Sequence, residues 1–328
     1  MSYLNGIVDK VYVINLDKDT ERMKSIDRQF KATGIQYTRI SAVEGSNVKH
    51  TNKLTEYCLQ YCTDGMKGCA LSHRLIWEDM VAAGYSRVAI FEDDAIISDT
   101  FQNELKVAWN QLPKDFDIFY IGCGIQCGDP YPIPRIINAV IGNPEEHSEN
   151  IMSVSGSFGT HGYIISRKCA TVFRNLTING HIDAEMGGWI QKFNLNAYSI
   201  NPLVVKTPGN NNGVGSNLSE SFPPLLNYVL RQIPISETFS LDWSLSENFI
   251  KLGPYNINAL VAIFLLIAAV VPLKYAYILA IWLGLELMAS GDVKNTGKFA
   301  VFIALGMGLQ FGFKLLLFGK KSKLYIYK

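Results

Sequence analysis

The chain lacks the signatures of several common chemistries. It has no Gly-x-x-x-x-Gly-Lys-Ser/Thr phosphate loop, and Gly122-Cys123-Gly124 lacks the further glycine and helix of a dinucleotide fingerprint. P-loop and Rossmann dinucleotide chemistry are therefore excluded. The five histidines show no His-x-x-x-His spacing, which argues against a zinc helix. The six cysteines, Cys58, Cys62, Cys69, Cys123, Cys127 and Cys169, form no Cys-x-x-Cys pair. They read as reduced structural thiols rather than a zinc site or a disulfide frame. The opening MSYLNGIVDKVYVIN has no apolar core of a secretory signal, so the N-terminal part is expected in the cytosol. The sequons at Asn175 and Asn217 would matter only in a lumenal compartment.

Acid is scarce in one region only. After residue 255 there are two acidic residues against eight Lys and Arg, whereas the first 255 residues hold 22 basic and 27 acidic ones. An acidic N-terminal part is a poor nucleic-acid binder, so no nucleic-acid partner is expected. The basic end lies among uncharged runs, INALVAIFLLIAAVVPL (257–273), YAYILAIWLGL (275–285) and FAVFIALGMGLQFGF (299–313). A span needs about 20 apolar residues, so each run is marginal alone, but together they predict two or three membrane helices over 256–319. A buried helical hairpin is the rival. Residues 221–255 then read as a juxtamembrane linker and 320–328 as a basic tail facing membrane lipid. The preferred topology has 257–289 as one long, tilted or kinked unit and 299–319 returning the chain to the cytosol. In it Lys274 and Glu286 lie near the interfaces.

The most informative stretch is RVAIFEDDAIIS (87–98). Arg87 to Phe91 form the tail of a core strand, after which Glu92, Asp93 and Asp94 must leave the core together, because unpaired buried carboxylates are costly. Hard divalent ions prefer oxygen ligands and pair one or two carboxylates with substrate phosphates. An acid-x-acid triplet at a strand end is therefore a candidate metal–diphosphate site, with a solvated acidic turn as its rival.

Apolar strands near 11–16, 36–41, 87–91, 117–121 and 161–166 alternate with helical patterns near 18–33, 67–83, 101–111 and 183–193. Such alternation builds a mainly parallel sheet with helices on its faces, and ligands bind beyond the carboxyl ends of its strands. Asn15 closes the first strand. Arg22, on the next helix, either returns toward a nucleotide phosphate or ribose or lies on a solvated face among Asp19, Glu21 and Lys24. Gly68-Cys69-Ala70 is read as a helix start where free N–H groups attract anions, with Ser72 and His73 facing the site or packed in the core.

The opening VINL-x6-R, the GC-x-x-SH block at 68–73, the EDD strand end, DIFYIG (117–122), THGYIIS (160–166), His181-Ile182-Asp183 and GSNLS (215–219) follow in this order. The set resembles glycosyltransferase family 25, which includes bacterial lipooligosaccharide and procollagen galactosyltransferases, over roughly residues 8–220. The resemblance implies an α/β nucleotide-sugar fold of the GT-A type over 1–220. It puts Ala42 and Gly45, in RISAVEG (39–45), beside the base and ribose. It also gives Asp94 to the metal and Glu92 to the metal's edge, touching sugar or ribose, with Asp93 beside them. Mn²⁺ or Mg²⁺ is the implied ion and a UDP-sugar the implied donor.

Inverting sugar transfer needs a base for the acceptor hydroxyl. Asp183, in NGHIDAEMGGW (179–189), is the leading candidate because enzymes of this fold supply acceptor-side acids late in the chain; Glu185 is the runner-up. The rival reading of Asp183 is a helix N-cap. His161 matches a family His-Ala-Tyr position, with Gly162 in place of the alanine. The expected protein is a metal-dependent, membrane-held inverting hexosyltransferase, with galactose from UDP-galactose foremost. Its acceptor would be a hydroxyl of a glycan, lipid-linked or protein molecule. The alternatives are UDP-glucose or another hexosyl donor, an inactive sugar-nucleotide or protein-binding module of the same fold, or a two-metal phosphodiesterase, which the single acidic cluster disfavours.

Overall fold

The structure, a computed structural model, describes residues 2–124, 135–136, 138–139, 142–207, 220–235 and 240–318. Cys127, the GSNLS segment with Asn217, and the basic tail lie outside the described residues. The chain divides into two compact units: residues 1–217 with 234–240, and residues 218–233 with 241–328.

The first unit begins α1 (Tyr3–Ile7), β1 (Lys10–Asn15), α2 (Thr20–Thr33), β2 (Thr38–Ser41), α3 (Glu56–Tyr61) and α4 (Asp64–Ala83). It continues β3 (Arg87–Glu92), β4 (Ile96–Ile97), α5 (Phe101–Gln111), β5 (Ile118–Gly122), β6 (Glu145–Ser148), β7 (Ile151–Ser153) and β8 (Gly162–Ser166). The last elements are α6 (Arg167–Phe173), α7 (Ile182–Lys192), β9 (Ala197–Ile200) and β10 (Val205–Lys206). The strands form one sheet in the order β2-β1-β3-β8-β5-β9-β7-β6, with β10 joining β4 and β5.

The expected parallel arrangement holds for β2, β1 and β3 and for β5 with β9. β8 runs antiparallel between β3 and β5.

β1 shows why this sheet holds two layers of helices. Val11 and Val13 pack with Ile26 and Phe30 of α2 and Phe101 and Leu105 of α5. On the opposite face, the Tyr12 hydroxyl bonds Asp79 of α4. Alternating Cβ directions along a strand make that split automatic. Phe30 meets Phe91 of β3 edge-on at 5.1 Å, and burying such a ring contributes roughly 1.5–3 kcal/mol. α4 starts where Thr63 Oγ1 accepts the Met66 N–H at 3.2 Å and stops at Gly84, whose φ of 74° favours glycine.

The cysteines differ from expectation. Cys58 and Cys62 are disulfide-bonded, with Cα atoms 4.6 Å apart, because a four-residue spacing brings side chains together on one face of α3. Cys123 is likewise disulfide-bonded. Cys69 and Cys169 are free thiols.

The second unit contains α8 (Pro224–Leu230), α9 (Leu241–Ser246), β11 (Asn248–Leu252), β12 (Tyr255–Asn258), α10 (Ala259–Val270), α11 (Ala276–Ser290) and α12 (Val293–Phe318). The stretch expected as a linker thus carries two helices and a β-hairpin. The tilted or kinked unit expected over 257–289 is two helices that meet at Pro272, which lacks the N–H a helix interior needs. α10 and α11 fold so that Phe264 stacks on Trp282 at 4.1 Å. Among the described residues, one helix, Leu273–Ser290, is long and apolar enough to cross a membrane, while Ala259–Val270 is apolar but shorter. Glu286 is fully buried and accepts the N–H groups of Leu225 and Leu226 at 2.8 and 3.0 Å, holding the N-terminal donors of α8.

Candidate functional site

β3 delivers its acids beside the end of β1, where Ile14 pairs with Glu92. The chain turns at once, with the Ala95 N–H donating to Glu92 O at 3.2 Å. The three carboxylates then separate by role. Asp93 turns inward: Asn15 Nδ2 donates to its Oδ2 at 2.6 Å and Arg22 Nη1 to its Oδ1 at 3.0 Å. Both oxygens of Asp93 are thus engaged within the protein, and Arg22 pairs with the acids. Asn15 is fixed in turn by the Arg39 Nε–H, 2.8 Å from its Oδ1.

Asp94 is only half satisfied. Its Oδ2 lies 3.8 Å from Arg22 Nη1, and its Oδ1 is buried with no hydrogen-bond partner among the described residues. Burial, with the charge of Glu92 behind it and Arg22 opposing, raises the Asp94 carboxyl well above the ordinary range. Glu92 shifts the other way. Burial works against its charge, but hydrogen bonds from His73 and Thr160 outweigh it and hold Glu92 below the usual glutamate range. An oxygen that is buried, anionic when charged and unpartnered is what a divalent cation would satisfy, so the pair Asp94 and Glu92 fits an oxygen-liganded ion.

His73 is fully buried, with Nε2 3.3 Å from Glu92 Oε1 and Nδ1 2.9 Å from the Tyr163 hydroxyl. Ser72 does not face the site. Its hydroxyl accepts the Val43 N–H at 2.8 Å and donates to Gly68 O at 2.6 Å, tying the loop after β2 to α4.

The reading of Gly68 as a helix start is corrected. α4 begins at Asp64, so Gly68 lies a turn inside it. Its lack of a side chain serves packing, since a Cβ there would lie 2.5 Å from Val43 O, and one on Gly45 would lie 1.8 Å from Asp64 O. Ala42 extends the strand pairing, its N–H donating to Asn15 O at 2.9 Å. These residues shape through backbone the wall beyond β1 and β2, beside which the family resemblance implies a base and ribose.

On the other side, Asp183 is the second residue of α7, after His181 at the cap position, so it is not the N-cap. Its Oδ2 accepts the Gly159 N–H at 3.0 Å. Glu185 is turned toward the backbone of residues 179–180, and burial raises its carboxyl.

His161 is a wedge. Its ring is buried, and a Cβ on Gly122 or Gly159 would meet it at 2.5 or 2.9 Å. Burial, partly offset by Glu92, lowers its pKa to about 4, so the ring is neutral. The ring is enclosed between the backbones of Gly122 and Gly159.

Three participants escaped the sequence reading. Thr160 hydrogen-bonds Glu92, and its only signal was adjacency to His161. Tyr163 reaches His73 across 90 positions. Cys69 lies near enough to Glu92, Asp183 and Asp94 that their charges, after burial, raise its thiol well above the ordinary value, which marks where both sides of the site converge. Cys69, His73 and Glu92 have ligand atoms within 4.8 Å of one another, but a thiol kept protonated is a weak metal ligand.

In an α/β sheet, a half-buried acid-x-acid pair at the carboxyl end of a central strand lies where ligands of such sheets bind, beyond the strand ends. The chain belongs to glycosyltransferase family 25: the model of that family, described as glycosyltransferase family 25 (LPS biosynthesis protein), matches residues 8–186. Over 227 residues the chain is 26% identical to a glycosyltransferase 25 family member of Drosophila melanogaster, covering 60% of this chain and 35% of that protein. Over 183 residues it is 28% identical to procollagen galactosyltransferase 1-A of Xenopus laevis, covering 51% of this chain and 28% of that one. Over 128 residues it is 32% identical to a probable inactive glycosyltransferase 25 family member 3 of Rattus norvegicus, covering 35% and 22%. The chain thus matches about a third or less of the length of these relatives.

Proposed function

We propose that the first unit is a metal-dependent inverting glycosyltransferase that moves a hexose, foremost galactose from UDP-galactose, to a hydroxyl of a glycan, lipid-linked or protein acceptor. The observation that carries this is the buried, unpartnered Asp94 Oδ1 beside a charged Glu92 at the end of β3. Asp94 and Glu92 would hold Mn²⁺ or Mg²⁺, which when bound supplies positive charge against the negative charge developing on a leaving diphosphate. Glu92 also accepts a hydroxyl of the donor sugar or ribose. Arg22 and Asn15 fix Asp93, and through it the turn that aims Asp94.

In an inverting displacement the acceptor oxygen bonds the anomeric carbon as the bond to the diphosphate oxygen breaks, and a base takes the hydroxyl proton. Asp183 is that base. It is half-buried, and the Gly159 N–H, donating to its Oδ2, fixes the orientation of its carboxyl group.

The second unit supports a membrane location. Ile281, Leu285, Leu305 and Leu309 are all exposed on its helices, an apolar surface suited to lipid. We place the active site on the cytosolic side, with the helices of 256–319 holding the protein at the membrane and a membrane-displayed acceptor within reach. A binding-only reading is favoured by the inactive designation of one relative. Release of UDP from UDP-hexoses, measured on the purified chain with Mn²⁺ and with EDTA, separates the two. Release that needs the ion supports the enzyme, and none from any donor with acceptor extracts supplied overturns it.

A further inference from the structure

A line of hydrogen bonds runs from the core to Glu92. Trp77 Nε1 lies 3.1 Å from the Tyr163 hydroxyl, the hydroxyl 2.9 Å from His73 Nδ1, and His73 Nε2 3.3 Å from Glu92 Oε1. Its direction follows from what each group can do. An indole N–H only donates, so the Tyr163 oxygen accepts there, and its own proton must go elsewhere. Among the described residues His73 Nδ1 is its acceptor, and in the neutral imidazole that nitrogen is then the bare one. The remaining ring proton then sits on Nε2, directed at the Glu92 carboxylate. The line is rigid: Trp77 is buried against Phe173 at 5.2 Å between ring centres, and Trp77, Tyr163 and His73 are all 0% exposed.

Glu92 is different, with a side chain 27% exposed. Both inward donors, His73 and Thr160, fall on the same oxygen, Oε1. Oε2 is therefore left to the open side.

We propose that Trp77 and Tyr163 are positioning residues. They fix the His73 tautomer so that Glu92 Oε1 is committed to the protein and Oε2 is presented, in one orientation, to the open side where the ion and a hydroxyl of the donor would lie. The donor part rests on the glycosyltransferase reading; the tautomer part does not. Without Tyr163 Oη, His73 is free to put its proton on Nδ1, and a bare Nε2 would then face a carboxylate.

The test uses the full chain and Tyr163→Phe, which keeps the ring and removes one oxygen. Nitrogen-15 spectra of the imidazoles, with His73→Gln identifying the His73 signals, should show Nε2–H with bare Nδ1 in the wild type and a mixed tautomer in Tyr163→Phe. UDP-galactose should bind or react with a KM about tenfold higher in Tyr163→Phe while kcat changes less, as expected for a hydrogen bond to a charged group that has lost its alignment. His73→Gln, which retains an N–H donor, should recover more donor affinity than His73→Leu. An Nδ1–H tautomer in the wild type overturns the proposal, as does Tyr163→Phe with unchanged spectrum and KM. If no UDP-sugar binds the wild type, the glycosyltransferase reading fails while the spectra still decide the tautomer.

Discussion

The Arg22 guanidinium lies 3.0 Å from Asp93 Oδ1, closer than the 3.8 Å that separates it from Asp94. One cation thereby pairs fully with the middle acid of the triplet and leaves the third short of compensation. Asp94→Asn removes the charge a cation would meet while preserving size. We expect turnover to fall by about a hundredfold or more with little change in melting temperature. Mn²⁺ titration of both proteins checks this, and equal ion affinity would refute it.

Asp183→Asn is informative because an amide oxygen still accepts the Gly159 N–H. The loop contact therefore survives while the base is lost. Transfer to acceptor should drop about 10²–10⁴-fold with donor affinity nearly unchanged. A loss of thermal stability with normal transfer would show Asp183 to be structural, and Glu185 would be tested next.

Glu185 gives a pH signature. Burial raises its folded pKa above the unfolded value of about 4.3, so the fold favours the protonated form. Its contribution to stability is present in full below that value and is lost as pH rises through the folded pKa. Glu185→Gln should flatten this fall. Urea melts of both proteins from acid to neutral pH measure it, and parallel curves would exclude the effect.

Gly45→Ala should destabilise the first unit by about 3 kcal/mol, the upper end for overpacking, because its Cβ would collide with the backbone oxygen of Asp64. Gly188→Ala, on an exposed position of α7 with nothing within 4 Å, should instead stabilise by about 0.5–1 kcal/mol. Denaturant midpoints compare the two.

Glu286→Ala removes the acceptor of two helix N-terminal N–H groups and of Trp282 Nε1, which lies 2.9 Å away. The loss should be about 1–3 kcal/mol, seen as faster proteolysis near Pro224–Leu230. Unchanged cleavage would show that α8 is held by its apolar contacts alone.

The sequence by itself determined the alternation of strands and helices, the exit of Glu92, Asp93 and Asp94 at a strand end, and the apolar character of the last helices. Each follows from residues close in the chain: a period of two or of 3.6, and the cost of burying charge. Tertiary structure decided which acid is neutralised, because Arg22 and Asn15 reach Asp93 across 71 and 78 positions. It also turned Gly68 from an anion site into a packing contact, enclosed His161 between two glycines, and brought Thr160, Tyr163 and Cys69 to the site. In the second unit it gave Glu286 a helix end to hold. Partner choice across a sheet depends on register and on which faces meet, and neither is written in any local window.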